Sequence, residues 1–191
     1  MKMLRVLAPL LLAALAGCAG VSGAPGPRVQ PAPAVSRTVE QDGKFLAFVG
    51  PRSQHAEPFL GVPGTNIYAL RSWVDQRNGE STHQLYVADS YAGDERDWNA
   101  ARDGSGKALR FVAISKNEII CERGCSYAEE FAAALPETLL RASPQGLAVT
   151  FAARSGAQKK LTVSGELIQK QLAAVNDARA SRPAAAAAPP R

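Results

Sequence analysis

Hydrophobic and polar positions alternate along much of the chain, a pattern that predicts β-strands joined by tight turns. Asn78-Gly79 lies between two apolar stretches and favours a two-residue hairpin turn. Gly156 lies in a second turn, between two shorter stretches in which apolar residues alternate with small or polar ones. The pattern therefore predicts two hairpins, formed by residues 66–75 with 82–89 and by residues 147–152 with 159–163.

Two further stretches extend this β-rich pattern. Residues 108–115 carry apolar side chains at both odd and even positions, which predicts an interior strand with both faces covered. Residues 117–121 and 125–134 predict another hairpin, and its turn contains Gly124.

Helical signals follow in the C-terminal part of the chain. Pro136 suits the first turn of a short helix over residues 136–141. Ser164 can cap a longer helix, and Glu166 lies near the positive end of that helix. An amphipathic stripe comes next, formed by Leu167, Ile168, Gln171, Leu172 and Val175. We expect an α+β fold, in which a twisted antiparallel sheet of several hairpins carries this C-terminal helix on one face. The alternative is a β-sandwich with a terminal helix.

The first residues of the chain have the order of features found in an export signal. Lys2 and Arg5 precede an apolar run from residue 6 to residue 16. This run is short for a membrane-crossing helix, which needs about 20 apolar residues, and an uncleaved membrane helix is the alternative to a signal peptide. The run closes on Leu15-Ala16-Gly17-Cys18.

These four residues resemble the lipobox of bacterial lipoprotein precursors. The resemblance implies removal of residues 1–17, attachment of a diacylglycerol to the sulfur of Cys18, and acyl chains such as palmitate that hold the mature chain in the membrane. Two or more acyl chains anchor a protein stably. Ala19 stands where an aspartate signals retention in the inner membrane of enterobacteria-like cells. The expected location is therefore the cell envelope, at the outer membrane and facing the periplasm.

Composition divides the remainder of the chain into three parts. Residues 18–37 follow the lipidation site with many Pro and Ala residues, which predicts an extended tether. Residues 38–180 are long enough for a single β-rich globular domain. Residues 181–191 contain mainly Ala, Pro and Arg, and we expect them to be a disordered tail.

The cysteine count agrees with an exported protein. The chain has three cysteines, and assignment of Cys18 to lipid leaves Cys121 and Cys125 as a pair. A three-residue hairpin loop with Gly124 in its third place would set these two residues opposite each other, within reach of a disulfide. We therefore predict a structural disulfide, with a redox-active pair and metal ligation as alternatives.

Charge narrows the set of partners. The formal net charge is +5, but the basic residues are spread along the chain and form no Lys/Arg-rich run with interleaved aromatic residues. Together with the export signal, this argues against nucleic acid as a partner. The expected partners are the membrane, through the N-terminal lipid anchor, and an envelope protein or the cell wall.

Motifs for phosphate or metal binding are weak. The segment Gly104-Ser105-Gly106-Lys107 lacks the first Gly and the following Ser or Thr of a phosphate-binding loop, so we interpret it as a turn. A group of acidic and amide residues suggests calcium but lacks the alternating spacing of an EF-type loop, and leaves an irregular site as the alternative. That group comprises Asp94, Asp97, Asn99 and Asp103.

Candidate catalytic residues are equally sparse. Glu129 and Glu130 are adjacent on a predicted strand and must point to opposite faces, so they cannot act as an acid and base pair. We expect one to lie in solvent and the other to be held by a basic neighbour, for which Arg110 is a candidate. His55 and His83 have neither a zinc-binding nor a triad-like context.

The sequence thus favours a non-catalytic binding or structural module without a cofactor or metal. Such a module would bind a protein, an envelope polymer or a hydrophobic ligand through a sheet edge or face. The alternative is an extracytoplasmic hydrolase whose site is assembled from distant residues. Its candidate residues are His83, Asp89, Ser90 and Tyr91.

Overall fold

A computed structural model describes residues 34–121 and 124–182 of the chain. The predicted signal peptide, Cys18, most of the predicted tether and residues 183–191 of the predicted tail lie outside the described residues. The elements, in chain order, are β1 (Ser36–Glu40), β2 (Phe45–Val49), β3 (Ser53–Gln54), a 3-10 turn (Phe59–Gly61), β4 (Ile67–Asp75), β5 (Ser81–Ala92), β6 (Trp98–Asp103), β7 (Ala108–Leu109), β8 (Phe111–Ile120), β9 (Ser126–Ala134), α1 (Glu137–Arg141), β10 (Gly146–Ala153), β11 (Gln158–Ser164) and α2 (Gly165–Ala180).

These strands form two open antiparallel sheets within the described part of the chain. The larger sheet has the order β1-β2-β4-β5-β9-β8, and β3 also pairs with β4. The smaller sheet has the order β11-β10-β6-β7. The predicted hairpins are therefore confirmed but divided between two sheets, with β4 and β5 in the larger and β10 and β11 in the smaller.

The main hydrophobic core lies between the two sheets. The ring of Phe131 on β9 is 5.3 Å from that of Trp98 on β6 and 5.0 Å from that of Phe151 on β10, measured between centroids. A second cluster lies where α2 covers the other end of the larger sheet, and it joins Val175 to Phe48 and Val74. The α+β prediction with a C-terminal helix on one face is confirmed, and the smaller sheet covers the part of that face that the helix leaves open.

The contacts of α2 confirm the cap and the stripe predicted from the sequence. The Oγ of Ser164 accepts a hydrogen bond from the Leu167 amide at 3.3 Å, which is the predicted cap. Ile168, Gln171, Leu172 and Val175 are buried, as the stripe predicts, and Leu167 is half-buried. Pro136 precedes α1 in extended backbone rather than forming its first turn.

One strand prediction is wrong. Residues 108–115 do not form an interior strand: the chain leaves the smaller sheet after β7 and enters the larger sheet at β8, and each of these strands lies at a sheet edge. Phe111 packs against the core, but a register shift between Ala113 and Ser115 turns the chain, and Ile114 is 42% exposed. Apolar residues at successive positions here reflect this bulge and the change of sheet, not two covered faces.

Candidate functional site

A cavity of about 580 Å³ opens at the end of the domain where the chain crosses from one sheet to the other. This volume lies within the range of small-molecule sites. The start of β5, the turn from β6 to β7 and the connection from β9 to α1 form its walls. Its lining residues are Ser81, Thr82, His83, Gln84, Asp103, Lys107, Ala108, Leu109, Arg110, Ala134, Leu135, Pro136, Glu137, Thr138 and Leu139.

A polar cluster forms one wall of the cavity. The Nε2 atom of His83 lies 3.0 Å from the Oγ of Ser81 and 3.4 Å from the Oε2 of Glu137. The Ser81 hydroxyl donates to the same Glu137 oxygen at 2.9 Å. Arg179 of α2 donates to both carboxylate oxygens of Glu137, at 2.7 and 3.1 Å, and Arg141 of α1 donates from the other side. The cluster thus joins β5, α1 and α2.

The other ring nitrogen of His83 faces the interior. Its Nδ1 atom is 2.8 Å from the Oγ of Ser72 on β4, a residue with no exposed surface. The side-chain amide of Gln171 donates to the same Ser72 oxygen at 2.9 Å and to the carbonyl of Phe48 at 3.0 Å. His83 therefore connects the cavity wall to a buried polar contact beneath α2.

The protons in this series of hydrogen bonds can be assigned from the donors and acceptors along it. Gln171 donates to Ser72, so we assign the Ser72 hydroxyl as the donor to Nδ1 of His83. The Nε2–H of His83 then points toward Ser81 and the carboxylate of Glu137, which is an acceptor. The result is a neutral imidazole whose one free electron pair is directed into the interior, away from the cavity.

The pKa shifts agree with this assignment. Burial is the main cause that holds the pKa of His83 below its ordinary value, with Arg179 and Arg141 acting in the same direction. The hydrogen bond from Arg179 is the main cause that holds the pKa of Glu137 well below its usual range. At neutral pH the wall therefore contains a neutral histidine and an ionised carboxylate with two arginine partners.

This arrangement differs from a serine hydrolase triad. In a triad the histidine presents a basic nitrogen to the nucleophile and binds the carboxylate through its other nitrogen. Here Ser81 and Glu137 lie on the same nitrogen of His83, and the opposite nitrogen is held by Ser72. The geometry gives Ser81 no base, and its hydroxyl also accepts from Arg179.

Two further residues of the cavity lining are cations without ionic partners in the described part of the chain. Lys107 and Arg110 are exposed, and within residues 34–121 and 124–182 neither makes an ion pair. Asp103, which also lines the cavity, accepts from the amides of Ser105 and Lys107 at 2.9 and 3.0 Å. The hydrogen bond from the Ser105 hydroxyl is the main cause that lowers the pKa of Asp103, so this carboxylate is ionised and closes the turn. This also supports the interpretation of residues 104–107 as a turn.

A second buried cluster lies farther along β5, at Asp89. This carboxylate is 3.1 Å from the Nζ of Lys159 and 2.8 Å from Arg96, and it accepts from the indole of Trp98 at 2.9 Å. Lys159 lies 3.1 Å from Nδ1 of His55. The cluster ties the larger sheet to β6 and β11 of the smaller one, and its donors leave the Asp89 carboxylate fully bonded.

His55 is neutral for a similar reason. Its Nε2 atom lies 2.9 Å from the carbonyl of Ala88, which requires a proton on that nitrogen, and the Nδ1 electron pair then accepts from Lys159. Burial is the main cause that lowers the pKa of His55. The contacts of this residue are structural.

The structure does not bring together the four residues of the hydrolase hypothesis. Asp89 lies six positions after His83 on the same strand, which places the two about 20 Å apart. Ser90 lies on the opposite face of β5. Tyr91 bonds to Glu129 and to the amide of Arg96. That residue set is therefore wrong as a site.

The paired glutamates are on opposite faces of β9, as predicted. Glu129 is buried and accepts from Tyr91 and from the amides of Asp97 and Trp98, both at 3.2 Å. Glu130 is half-buried on the other face. The candidate basic neighbour, Arg110, pairs with neither glutamate among the described residues, and backbone amides and a tyrosine hydroxyl satisfy Glu129 instead.

Within the described residues, the acidic group considered as an irregular calcium site is not assembled into one cluster. Asp97 pairs with Arg154 and Lys116, whereas Asp103 closes the turn after β6. Among the described residues, the one group of three metal-type ligands within 4.8 Å comprises Glu118, Cys121 and Cys125. Cys121 and Cys125 are joined by a disulfide with their Cα atoms 4.0 Å apart, so neither sulfur is available to a metal. Gly124 has a φ of 114°, the left-handed conformation that the turn requires.

Several residues of the polar wall were not predicted from the sequence. Ser72 lies in the apolar run of β4, and Gln171 lies in the apolar stripe of α2. A polar residue at a position that must be buried is itself a signal for an internal hydrogen bond, since its burial without a partner is costly. Glu137 and Arg179 carry no comparable signal, because charged residues near helix ends are common on protein surfaces.

In the part of the chain that the structure describes, no helix combines the length and apolar character needed to cross a bilayer. Comparisons with protein-family models, curated proteins and solved structures gave no match for this chain.

Proposed function

We propose that this chain is a lipid-anchored protein of the cell envelope whose domain is a non-catalytic binding module, with its ligand site in the cavity beside His83. The observation that carries the proposal is the combination of a cavity of about 580 Å³ with a polar wall whose groups are already bonded to one another. Such a wall can orient a ligand but offers no free base or nucleophile.

The lining supports a ligand with an apolar part. Leu135 is buried and Leu109 and Leu139 are half-buried, and all three belong to or pack against the main core. Leu109 and Leu139 keep exposed apolar surface at the cavity, which a ligand could cover and so remove from water. The proposal therefore favours a hydrophobic ligand over a purely polar one.

Location is the second part of the proposal. The Leu15-Ala16-Gly17-Cys18 motif supports acylation of Cys18 and attachment to the outer membrane facing the periplasm. Cells grown with an alkyne analogue of palmitate should label the chain, and Cys18→Ser should remove the label. Labelling that persists in the Cys18→Ser chain would contradict the anchor.

Binding is tested with a neutral hydrophobic dye. We expect N-phenyl-1-naphthylamine to gain fluorescence with a Cys18→Ser chain that begins at residue 18, as the expected mature chain does, because this chain carries neither acyl groups nor the apolar run of residues 6–16. Ala108→Trp places a large side chain at the cavity wall on the exposed β7 edge and should weaken this binding at least tenfold. The matched control, Ala173→Trp on the exposed side of α2, should bind as the parent does. Equal binding by both variants would place the dye outside the cavity and contradict the proposal.

A hydrolase is the second candidate, and one contact favours it. The Oγ of Ser81 is 3.0 Å from Nε2 of His83 at the cavity wall. A fluorophosphonate probe tests this function directly, since it reacts with activated serines. We expect no labelling of Ser81; labelling that Ser81→Ala abolishes would favour the hydrolase.

A further inference from the structure

We propose that the cavity beside His83 binds an anionic amphiphile, a ligand with an oxyanion head and an apolar chain. This inference rests on the proposed binding function and names its ligand class. The juxtaposition that carries it is a pair of cations without ion-pair partners among the described residues, Lys107 and Arg110, in a cavity lining that also contains Leu109, Leu135 and Leu139.

The carboxylates of the cavity are engaged elsewhere. Glu137 is held by Arg141 and Arg179, which between them carry more positive charge than it can balance. Asp103 accepts hydrogen bonds from its own turn and offsets part of the charge of Lys107. The cavity and its immediate supports thus have four cationic side chains against two carboxylates, which favours an anion.

The backbone fixes the position of Arg110 in the cavity lining. Arg110 is the single residue between β7 and β8, at the crossing from one sheet to the other. Its carbonyl accepts from the amide of Ala134 at 2.9 Å, which fixes its main chain. The exposed guanidinium is then available for a bidentate contact with a carboxylate or phosphate group.

The apolar part of the ligand has a separate place. Leu109, Leu135 and Leu139 also line the cavity, and they belong to or pack against the main core. An acyl or aryl chain that lies on these residues would leave its charged head at the exposed side, near Lys107 and Arg110. The wall of Ser81, His83 and Glu137 offers the head no free donor, because its groups are bonded to one another and to Arg141 and Arg179.

Three ten-carbon probes that differ in their heads test the charge preference. Decanoate, 1-decanol and decyltrimethylammonium compete with N-phenyl-1-naphthylamine on the Cys18→Ser chain that begins at residue 18. We expect decanoate to displace the dye at about tenfold lower concentration than decanol, and decyltrimethylammonium to be the weakest. Decyl phosphate in place of decanoate distinguishes a phosphate head from a carboxylate head, and tighter binding of either supports the proposal.

Variants then locate the charge. Lys107→Ala combined with Arg110→Ala should abolish the tenfold preference for decanoate and leave decanol binding within twofold of the parent. The single variant Arg110→Lys keeps a cation at this position and should retain part of the preference for decanoate. Lys160 is an exposed lysine on β11, and Lys160→Ala should leave the preference unchanged. Both cavity cations are exposed, so these variants are expected to fold, and Arg110→Gln alone gives a milder form of the same test.

The outcomes separate this inference from the function on which it rests. Dye binding with no preference among the three heads, or a preference for the cationic probe, overturns the anionic ligand and leaves the binding module standing. A decanoate preference that survives the double variant also overturns it. Absence of dye binding to the cavity overturns the proposed function, and this inference falls with it.

Discussion

Two histidines in this domain are buried as neutral imidazoles, and each is held by a different set of partners. His83 accepts from Ser72 and donates toward Ser81 and Glu137, whereas His55 donates to the carbonyl of Ala88. In both cases burial is the main cause of a lowered pKa. A neutral buried imidazole links folding to pH, because the unfolded chain can take up a proton that the folded chain excludes.

The stability of the domain should therefore fall as the pH drops from 7.5 to 5.5. For each histidine the pKa in the folded chain lies below the value of about 6.5 in the unfolded chain. The contribution of the neutral imidazole to stability is therefore complete above that value and is lost as the pH falls through it. The free energy of unfolding then changes by at most about 1.4 kcal/mol per pH unit for each proton. Urea unfolding across this range measures the slope. His55→Gln and His83→Gln should each reduce it, and an unchanged slope in the double variant would show that other groups take up the protons.

The Glu137 carboxylate affects the stability of the domain at a lower pH than the two histidines do. Replacement by Gln removes the charge that Arg179 and Arg141 neutralise, and should lower the free energy of unfolding by about 1–3 kcal/mol at pH 7. Because its folded pKa lies far below its unfolded value near 4.3, this difference should be complete above that value and shrink as the pH falls further. Urea unfolding of both chains at pH 7 and pH 3.5 tests it. Glu166→Gln, which breaks an exposed pair with Lys170, is the control and should have little effect.

At the scale of the element, α2 shows how a tertiary contact overrides a local preference. The helix begins at Gly165, directly after the Ser164 cap. An added Cβ at residue 165 would lie 1.9 Å from the carbonyl oxygen of Pro144 and 2.8 Å from its carbon. This glycine allows the start of α2 to approach the loop before β10, which no helical propensity would reveal.

Gly165→Ala should therefore destabilise the domain. Helix propensity alone would predict a gain of about 1 kcal/mol, but the backbone at Pro144 must move to make room, and overpacking of this kind costs about 1–3 kcal/mol or more. Thermal unfolding should show a lower Tm. Asp177→Ala, an exposed change in the same helix, should leave the Tm nearly unchanged, and a higher Tm for Gly165→Ala would contradict the close contact.

The elements also show which parts of the fold the sequence could predict. The hairpin at Asn78-Gly79 and the stripe of α2 depend on neighbours within a few residues, so their patterns identified them correctly. Residues 108–115 were assigned to an interior strand because hydrophobicity at successive positions does not distinguish a covered strand from one that bulges and changes sheets at an edge. The local pattern contains no information on which sheet a strand joins.

The candidate site was hidden for a related reason. Its walls come from three segments that are distant in sequence, represented by His83, Arg110 and Glu137. None of these residues lies in a motif, and the cavity exists only after β7 and β8 have joined different sheets. A sequence pattern can place a histidine on a strand, but the partner on each ring nitrogen depends on the packing of other elements.

At the scale of the whole molecule, the two sheets are held by a hydrophobic core and by one buried ionic cluster. The rings of Trp98, Phe131 and Phe151 make apolar contacts in the core, and such contacts are not directional. Asp89 adds a directional contact, because it lies on the larger sheet while Lys159 and Trp98 lie on the smaller. We infer that this carboxylate fixes the alignment of the sheets on which the cavity at their other end depends.

Asp89→Asn should test this role. An amide of the same size loses the charge and presents donors to Lys159 and Arg96, so the cations remain partly buried without a counterion, at a cost of about 3–5 kcal/mol in unfolding free energy. Urea unfolding measures the loss, and the cavity dye reports on the alignment of the sheets. Lys159→Met combined with Asp89→Leu removes two of the three charges and leaves Arg96, whose side chain is 32% exposed and can turn to solvent. It should recover part of the stability, because an apolar pair is often as stable as a buried ionic one. A loss of less than about 0.5 kcal/mol for Asp89→Asn is typical of an exposed ion pair. Such a result would mean that the core alone holds the sheets together.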